Sequence, residues 1–248
     1  MPIHDVEQIR RSFYETLCRE VVRGNPYLDQ NEKKALQSHY YVIVNPAQCP
    51  RELAATIYVS RREHTVQTIL AVPRLIVFDA GSGYGSESFL FAKLGATVLS
   101  VDRSVEQIAI ARKRLRNYED PFEQKLDIHF VTVDLNEYVP EMAELSLTWL
   151  DSLLATILDQ EAFPERIYQA TCPAGHVIIT DMNLSNTLFL VKLSTLLRPV
   201  GFYSMNTTFS GFLPPQLFSP ITVTLEKTLY KVSLLRAMGY FYLVSGQK

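Results

Sequence analysis

Residues 75–102 read LIVFDAGSGYGSESFLFAKLGATVLSVD. An apolar run at 75–78 enters a glycine-dense turn at 79–85, and a helical segment then returns the chain to a second apolar run ending on Asp102. That order predicts a parallel β-α-β unit. Gly81, Gly83 and Gly85 remove Cβ atoms where the chain turns sharply, which lets a ligand approach bare backbone. Asp102 closes the second strand about 20 residues past the turn, where a carboxylate accepts hydrogen bonds from ribose hydroxyls. A nucleoside-bearing cofactor is the expected ligand.

Two details narrow the cofactor. In the dinucleotide fingerprint G-x-G-x-x-G the third glycine falls one residue beyond Gly85, where this chain has Ser86. The turn also opens on Asp79, whose charge repels a pyrophosphate but attracts an ammonium. A cofactor carrying an amino acid in place of a diphosphate suits both. The segment DAGSGYG resembles the first motif of the class I S-adenosylmethionine-dependent methyltransferases, an acid followed by G-x-G-x-G.

That resemblance implies an α/β fold: a Rossmann-like seven-stranded sheet, mostly parallel with the last strand antiparallel, flanked by helices and carrying an N-terminal helical lid. It implies S-adenosylmethionine as cofactor and S-adenosylhomocysteine as product. The cofactor-binding residues it points to are Asp79, Ala80, Gly81, Ser82, Gly83, Asp102, Arg103, Asp134, Leu135 and Leu150. Residues 1–72 are expected to form the lid and substrate cap, and residues 73–248 the cofactor-binding domain, with a cap insertion at about 209–224.

Composition bounds the rest. At 248 residues, 47% hydrophobic and 20% charged, the chain has the make-up of an ordinary globular domain. A net charge of −2 supplies no positive field for nucleic acid. Cys18, Cys49 and Cys172 are too scattered for a metal cluster, and no metal site is expected. Met1 precedes a polar segment and no apolar run reaches membrane-spanning length. The expectation is a cytoplasmic protein, monomeric or homodimeric, acting on a small-molecule acceptor away from membranes and nucleic acid.

Before the first strand, Val6, Ile9, Phe13 and Leu17 recur at spacings of three and four and predict a helix that Gly24-Asn25-Pro26 ends. A second segment through Tyr40 and Tyr41 and a further helix at 51–70 should follow. Further on, 86–94 reads as a crossover helix capped by Gly95, and Ser104 with Gln107 as a capping box opening the next. On that helix Ile108, Ala111 and Leu115 are assigned to the sheet, and Arg112, Lys113, Arg114 and Arg116 to a solvated face. Strands are predicted at 97–101, 128–133, 145–150, 177–180, 203–208 and 240–244, with a turn at Pro173-Ala174-Gly175 and helices at 184–197 and 225–238.

Methyl transfer needs placement above all, so no signature nucleophile is expected. Asp151 and Asp181 follow the fourth and fifth strands, where each either faces substrate or caps a helix. Tyr14, His39, Tyr40, Tyr41 and His64 lie in the presumed lid, and Asp151, Tyr14 and His39 are carried forward as catalytic candidates. His129 and His176 are read as structural. The chain departs from its relatives at Ser146, where they often carry an acid, and at Ala155 and Thr156, where many carry histidines. An Asn-Pro-Pro-Tyr-like motif is also missing, with Leu150-Asp151-Ser152-Leu153 in its place. Three alternatives stay open: a catalytically silent binding subunit, a nicotinamide-dependent oxidoreductase, and a methyltransferase acting on nucleic acid or protein.

Overall fold

A computed structural model describes residues 3–40, 75–119, 125–138, 140, 144–151, 162–182, 197–210 and 241–248. Tyr41, His64, the helices expected at 51–70 and 225–238, most of the helix at 184–197, Ala155, Thr156 and the cap insertion beyond residue 210 lie outside the described residues.

The described chain runs α1 (Ile3–Arg23), α2 (Gln30–His39), β1 (Ile76–Ala80), α3 (Ser86–Lys93), β2 (Thr97–Asp102), α4 (Val105–Tyr118), β3 (Ile128–Thr132), β4 (Leu145–Asp151), α5 (Ala162–Ala170), β5 (Thr171–Met182), β6 (Tyr203–Ser210) and β7 (Phe241–Gln247). The seven strands form one sheet in the order β3-β2-β1-β4-β5-β7-β6. Strands β1 to β5 pair in parallel, and β7 is antiparallel to both neighbours. The order reverses between β1 and β4, so a crevice opens at the carboxyl ends of those two strands.

Central strands are buried on both faces, and β1 and β4 are of that kind, although β1 carries Asp79 and β4 carries Ser146 and Thr148 among its apolar residues. Their side chains alternate between two cores. Val77, Val98, Leu147 and Trp149 pack with Phe13, Leu17, Leu36, Phe89 and Phe91 on one face. Phe78, Ala80, Val101 and Leu150 pack with Phe163 and Ile167 of α5 on the other. By the same alternation Asp79 and Asp151 belong to the first face, the one that carries the N-terminal helices.

The stripe foreseen in α1 is the one that buries: Val6, Phe13 and Leu17 are all core residues. Helix α1 stops at Arg23, where Gly24 takes φ +83°. Asp29 and Glu32 form a reciprocal capping box that starts α2. Only half of the capping box expected at Ser104 forms: Ser104 Oγ accepts from the Gln107 N–H at 3.2 Å. Gln107 Oε1 turns toward the glycine turn instead, 3.8 Å from where a Cβ on Gly83 would stand.

Two expectations need correction. Arg114 is not part of a solvated face; it is fully buried, while Arg112 and Arg116 are exposed. Ile110, Arg114 and Tyr118 recur every four residues on one helical face, and that face packs inward. The turn at 173–175 does not precede its strand but interrupts β5: Leu145 pairs with Thr171 and Leu147 with His176. Ala174 adopts φ +63° within this bulge, and a Cβ on Gly175 would sit 2.8 Å from the Leu145 carbonyl oxygen.

Candidate functional site

The glycine turn hangs from two strand ends. Gly81 and Ser82 N–H groups both donate to the Val101 carbonyl of β2, at 2.7 and 2.9 Å. Gly81, Gly83 and Gly85 take φ values of +74°, +53° and +80°, the left-handed region that disfavours side chains. Their surroundings differ. A Cβ on Gly85 would press on Ala111 and Phe89 at 3.2 Å, so this glycine serves helix packing. Among the described residues a Cβ on Gly83 would meet only Gln107 Oε1 at 3.8 Å, so the backbone there is open to a ligand on that side.

Asp102 ends β2 against this open stretch. Its Oδ2 accepts from Gly83 N–H at 2.9 Å and its Oδ1 from Ser104 N–H at 2.8 Å. Each carboxylate oxygen keeps a further lone pair for an outside donor. Ser82 Oγ is buried in the turn and has no hydrogen-bond partner among the described residues. An open Cβ direction, an orphaned hydroxyl and an acid with spare acceptor capacity all fit a polar ligand laid along the turn.

Asp79 lies behind the turn, 2% exposed. Its Oδ2 is 2.5 Å from Ser88 Oγ, which is itself 2.9 Å from Ser100 Oγ. Burial pushes the Asp79 carboxyl up to about 8, helped by the charges of Glu87, Asp151 and Asp102 and opposed by the Ser88 hydrogen bond. At neutral pH this acid therefore keeps its proton until a cation arrives beside it.

His39, at the end of α2, reaches the same neighbourhood. Its ring meets Tyr40 and Tyr84 edge-on, with centroids 4.6 and 5.1 Å apart. Crowding by protein lowers its pKa below 6.5, with Arg114 acting in the same sense, while Glu87 and Asp151 pull it upward. Solvent still reaches the imidazole, which limits the shift, but the ring is neutral at pH 7. Asp151 accepts a 2.6 Å hydrogen bond from Thr180 Oγ1. Asp79, Asp102, Asp151 and His39 thus share one electrostatic environment at the carboxyl edge of the sheet.

The remaining sequence candidates fall around this group. Ala80 and Leu150 are paired across β1 and β4 and fully buried. Asp134 follows β3, where its Oδ1 accepts from the N–H and Nδ2 of Asn136; these bonds, and more weakly Arg103, hold its carboxyl below the usual range. Leu135 is buried beside it, and Arg166 of α5 donates to its carbonyl. Tyr14 is a buried residue of α1. Asp181 lies on β5.

Sequence reasoning passed over the groups that hold the turn from behind. Arg114 Nη1 donates to the Tyr84 carbonyl at 2.5 Å and to Ser86 Oγ at 3.1 Å. Its Nε and Nη2 form a fork on Glu20 of α1 at 2.9 and 2.7 Å. The four-residue spacing of Ile110, Arg114 and Tyr118 was the available signal, masked by the run of basic neighbours.

A family model described as a methyltransferase domain matches residues 72–206, more than half of the 248-residue chain. No curated protein matches the sequence. Among solved structures, the Haemonchus contortus phosphoethanolamine N-methyltransferase 2 in complex with S-adenosyl-L-methionine is 17% identical, with a TM-score of 0.54. The alignment covers 76% of this chain and 52% of that one, so this chain spans about half of that enzyme's length. An Archaeoglobus fulgidus SAM-dependent methyltransferase is 15% identical over 84% of this chain and 100% of its own, with a TM-score of 0.54. The [4+2]-cyclase SpnF is 13% identical over 76% of this chain and 80% of its own, with a TM-score of 0.55. At these identities the likeness is one of fold.

Proposed function

Because the chain belongs to the methyltransferase-domain family, we propose that it transfers a methyl group from S-adenosylmethionine to an oxygen, nitrogen or carbon atom of a small molecule. The observation that carries this reading is the glycine turn, with Gly81 and Gly83 in the left-handed region and Gly83 uncrowded by the described residues, set against the Asp102 carboxylate. The nicotinamide alternative falls with family membership.

Bound S-adenosylmethionine supplies an electrophilic methyl on a positively charged sulfur. The residues that would hold it divide its parts. Asp102 offers its spare lone pairs to ribose hydroxyls. The turn offers bare backbone and the Ser82 hydroxyl to the amino acid end. Asp79 surrenders its proton to balance an ammonium nearby. Arg103, Asp134, Leu135, Ala80 and Leu150 are assigned to the nucleoside side. His39, neutral at pH 7, is suited to accept a proton from the acceptor, and Asp151 to orient it. Tyr14 and the rest of residues 1–72 complete the acceptor side as a cap.

The absence of histidines at positions 155 and 156, with a cyclase sharing the fold, supports a second reading in which the cofactor binds but no methyl is passed. Native mass spectrometry of purified protein, followed by turnover with isotopically labelled methyl donor on a small-molecule panel, separates the two. Co-purified S-adenosylmethionine or S-adenosylhomocysteine with labelled product supports transfer. Bound cofactor with no labelled product across oxygen, nitrogen and carbon acceptors supports the second reading, and absence of any cofactor binding refutes both.

A further inference from the structure

The glycine turn is gripped by buried side chains from α1 and α4. Arg114 is fully buried and uses every face of its guanidinium. Two nitrogens fork onto Glu20, the third donates to the Tyr84 carbonyl and Ser86 Oγ, and Nη2 also lies 3.2 Å from the Tyr118 hydroxyl. Glu20 is fully buried too, and accepts from Tyr118 at 2.7 Å and Asn25 Nδ2 at 2.6 Å. The Tyr40 hydroxyl at the end of α2 is also hydrogen-bonded to Ser86 Oγ. The Arg114 guanidinium lies over the rings of Tyr40, Phe89 and Tyr118 at 5.8, 5.3 and 5.7 Å from their centroids.

A buried ion pair is poor evidence of a gain in stability, because apolar side chains of the same volume often serve as well. What apolar side chains could not do here is hold the Tyr84 carbonyl. That carbonyl lies between Gly83 and Gly85, both in the left-handed region, and a chain with glycines on either side has many other conformations open to it. We propose that Glu20 and Arg114 are positioning residues for the cofactor turn: α1 aligns the guanidinium, and the guanidinium fixes the turn in its cofactor-binding shape. The N-terminal helices then set cofactor affinity from outside the site, independently of any lid role. This rests on the cofactor assignment made above.

Lowering the fraction of turn in the binding shape to about a tenth raises the apparent Kd about tenfold and leaves the step after binding alone. The test uses two variants of the full chain. Glu20→Leu/Arg114→Met/Tyr118→Phe keeps volume and removes the charges together. Arg114→Lys keeps the charge for Glu20 but is too narrow to span both Glu20 and the turn. The expected result in each is a roughly tenfold rise in S-adenosylmethionine Kd by calorimetry. The KM for cofactor should rise with it while kcat at saturation stays near wild type, and amide hydrogens of residues 81–86 should exchange faster. The lysine variant, which retains the ion pair, carries the test if the triple variant does not fold. Wild-type affinity together with wild-type exchange at 81–86 in a folded variant would overturn the proposal and leave the cluster a packing feature. Wild-type protein that does not bind S-adenosylmethionine would refute the cofactor assignment instead, and the exchange rates, which need no ligand, would still decide the anchoring.

Discussion

Replacing Asp79 with asparagine should stabilise the protein, and only at higher pH. Asp79 is 2% exposed, and its carboxyl is pushed from 3.8 up to about 8. In the unfolded chain the same group titrates near 3.8. Between those values the folded protein holds a proton that the unfolded chain has lost, so stability falls as pH rises through that interval and levels off above about 8. The interval is about 4 units at about 1.4 kcal/mol each, which gives an upper bound on the order of 5 kcal/mol. Asparagine has no proton to lose, and its side-chain oxygen can still accept from Ser88 Oγ–H. Urea unfolding of wild type and Asp79→Asn at pH 5, 6.5 and 8 measures the difference. The variant should gain on wild type by about 1 kcal/mol or more per unit across this range, and should bind cofactor more weakly. Parallel pH profiles would show that Asp79 is ionised in the folded protein, and would refute the assignment of a buried, protonated acid to the cofactor site.

The glycines of the turn should separate under mutation. Gly85→Ala drives a Cβ to 3.2 Å from Ala111 and Phe89 and should cost about 1–3 kcal/mol in urea unfolding. Gly83→Ala is strained at φ +53° but uncrowded among the described residues, and should lose about 1 kcal/mol of stability, with its larger effect on S-adenosylmethionine Kd in calorimetry. Asp102→Ala removes a charged acceptor and should weaken that Kd by about 2 kcal/mol, roughly thirtyfold. Since His39 is neutral above pH 6.5, kcat/KM should decline only below that pH, and His39→Gln should abolish this limb of the pH–rate profile.

The glycine turn was legible because backbone chemistry writes it into sequence. Left-handed turns demand glycine, so Gly81, Gly83 and Gly85 announced a turn that the structure shows at positive φ. Two-sided burial favours apolar runs, so the run at 75–78 was visible as the strand β1. Arg114 was illegible for the opposite reason. Whether an arginine faces water or a buried carboxylate depends on Glu20, 94 residues away, and no local pattern reports that pairing. The bulge in β5 escaped for a related cause. A proline and a glycine mark a break in extended chain, but whether the strand resumes in the same sheet is settled by the partner strand. That His39 of α2 and Asp151 of β4 share one electrostatic environment at the sheet edge is likewise not contained in the periodicity of either element.

The most direct measurement is a co-crystal structure of the full chain with S-adenosylhomocysteine, refined without prior placement of the ligand. The account predicts ribose hydroxyls on the Asp102 carboxylate, the amino acid end along Gly81–Gly83, and its ammonium near Asp79. Density elsewhere on the molecule, or a ribose that avoids Asp102, would contradict it.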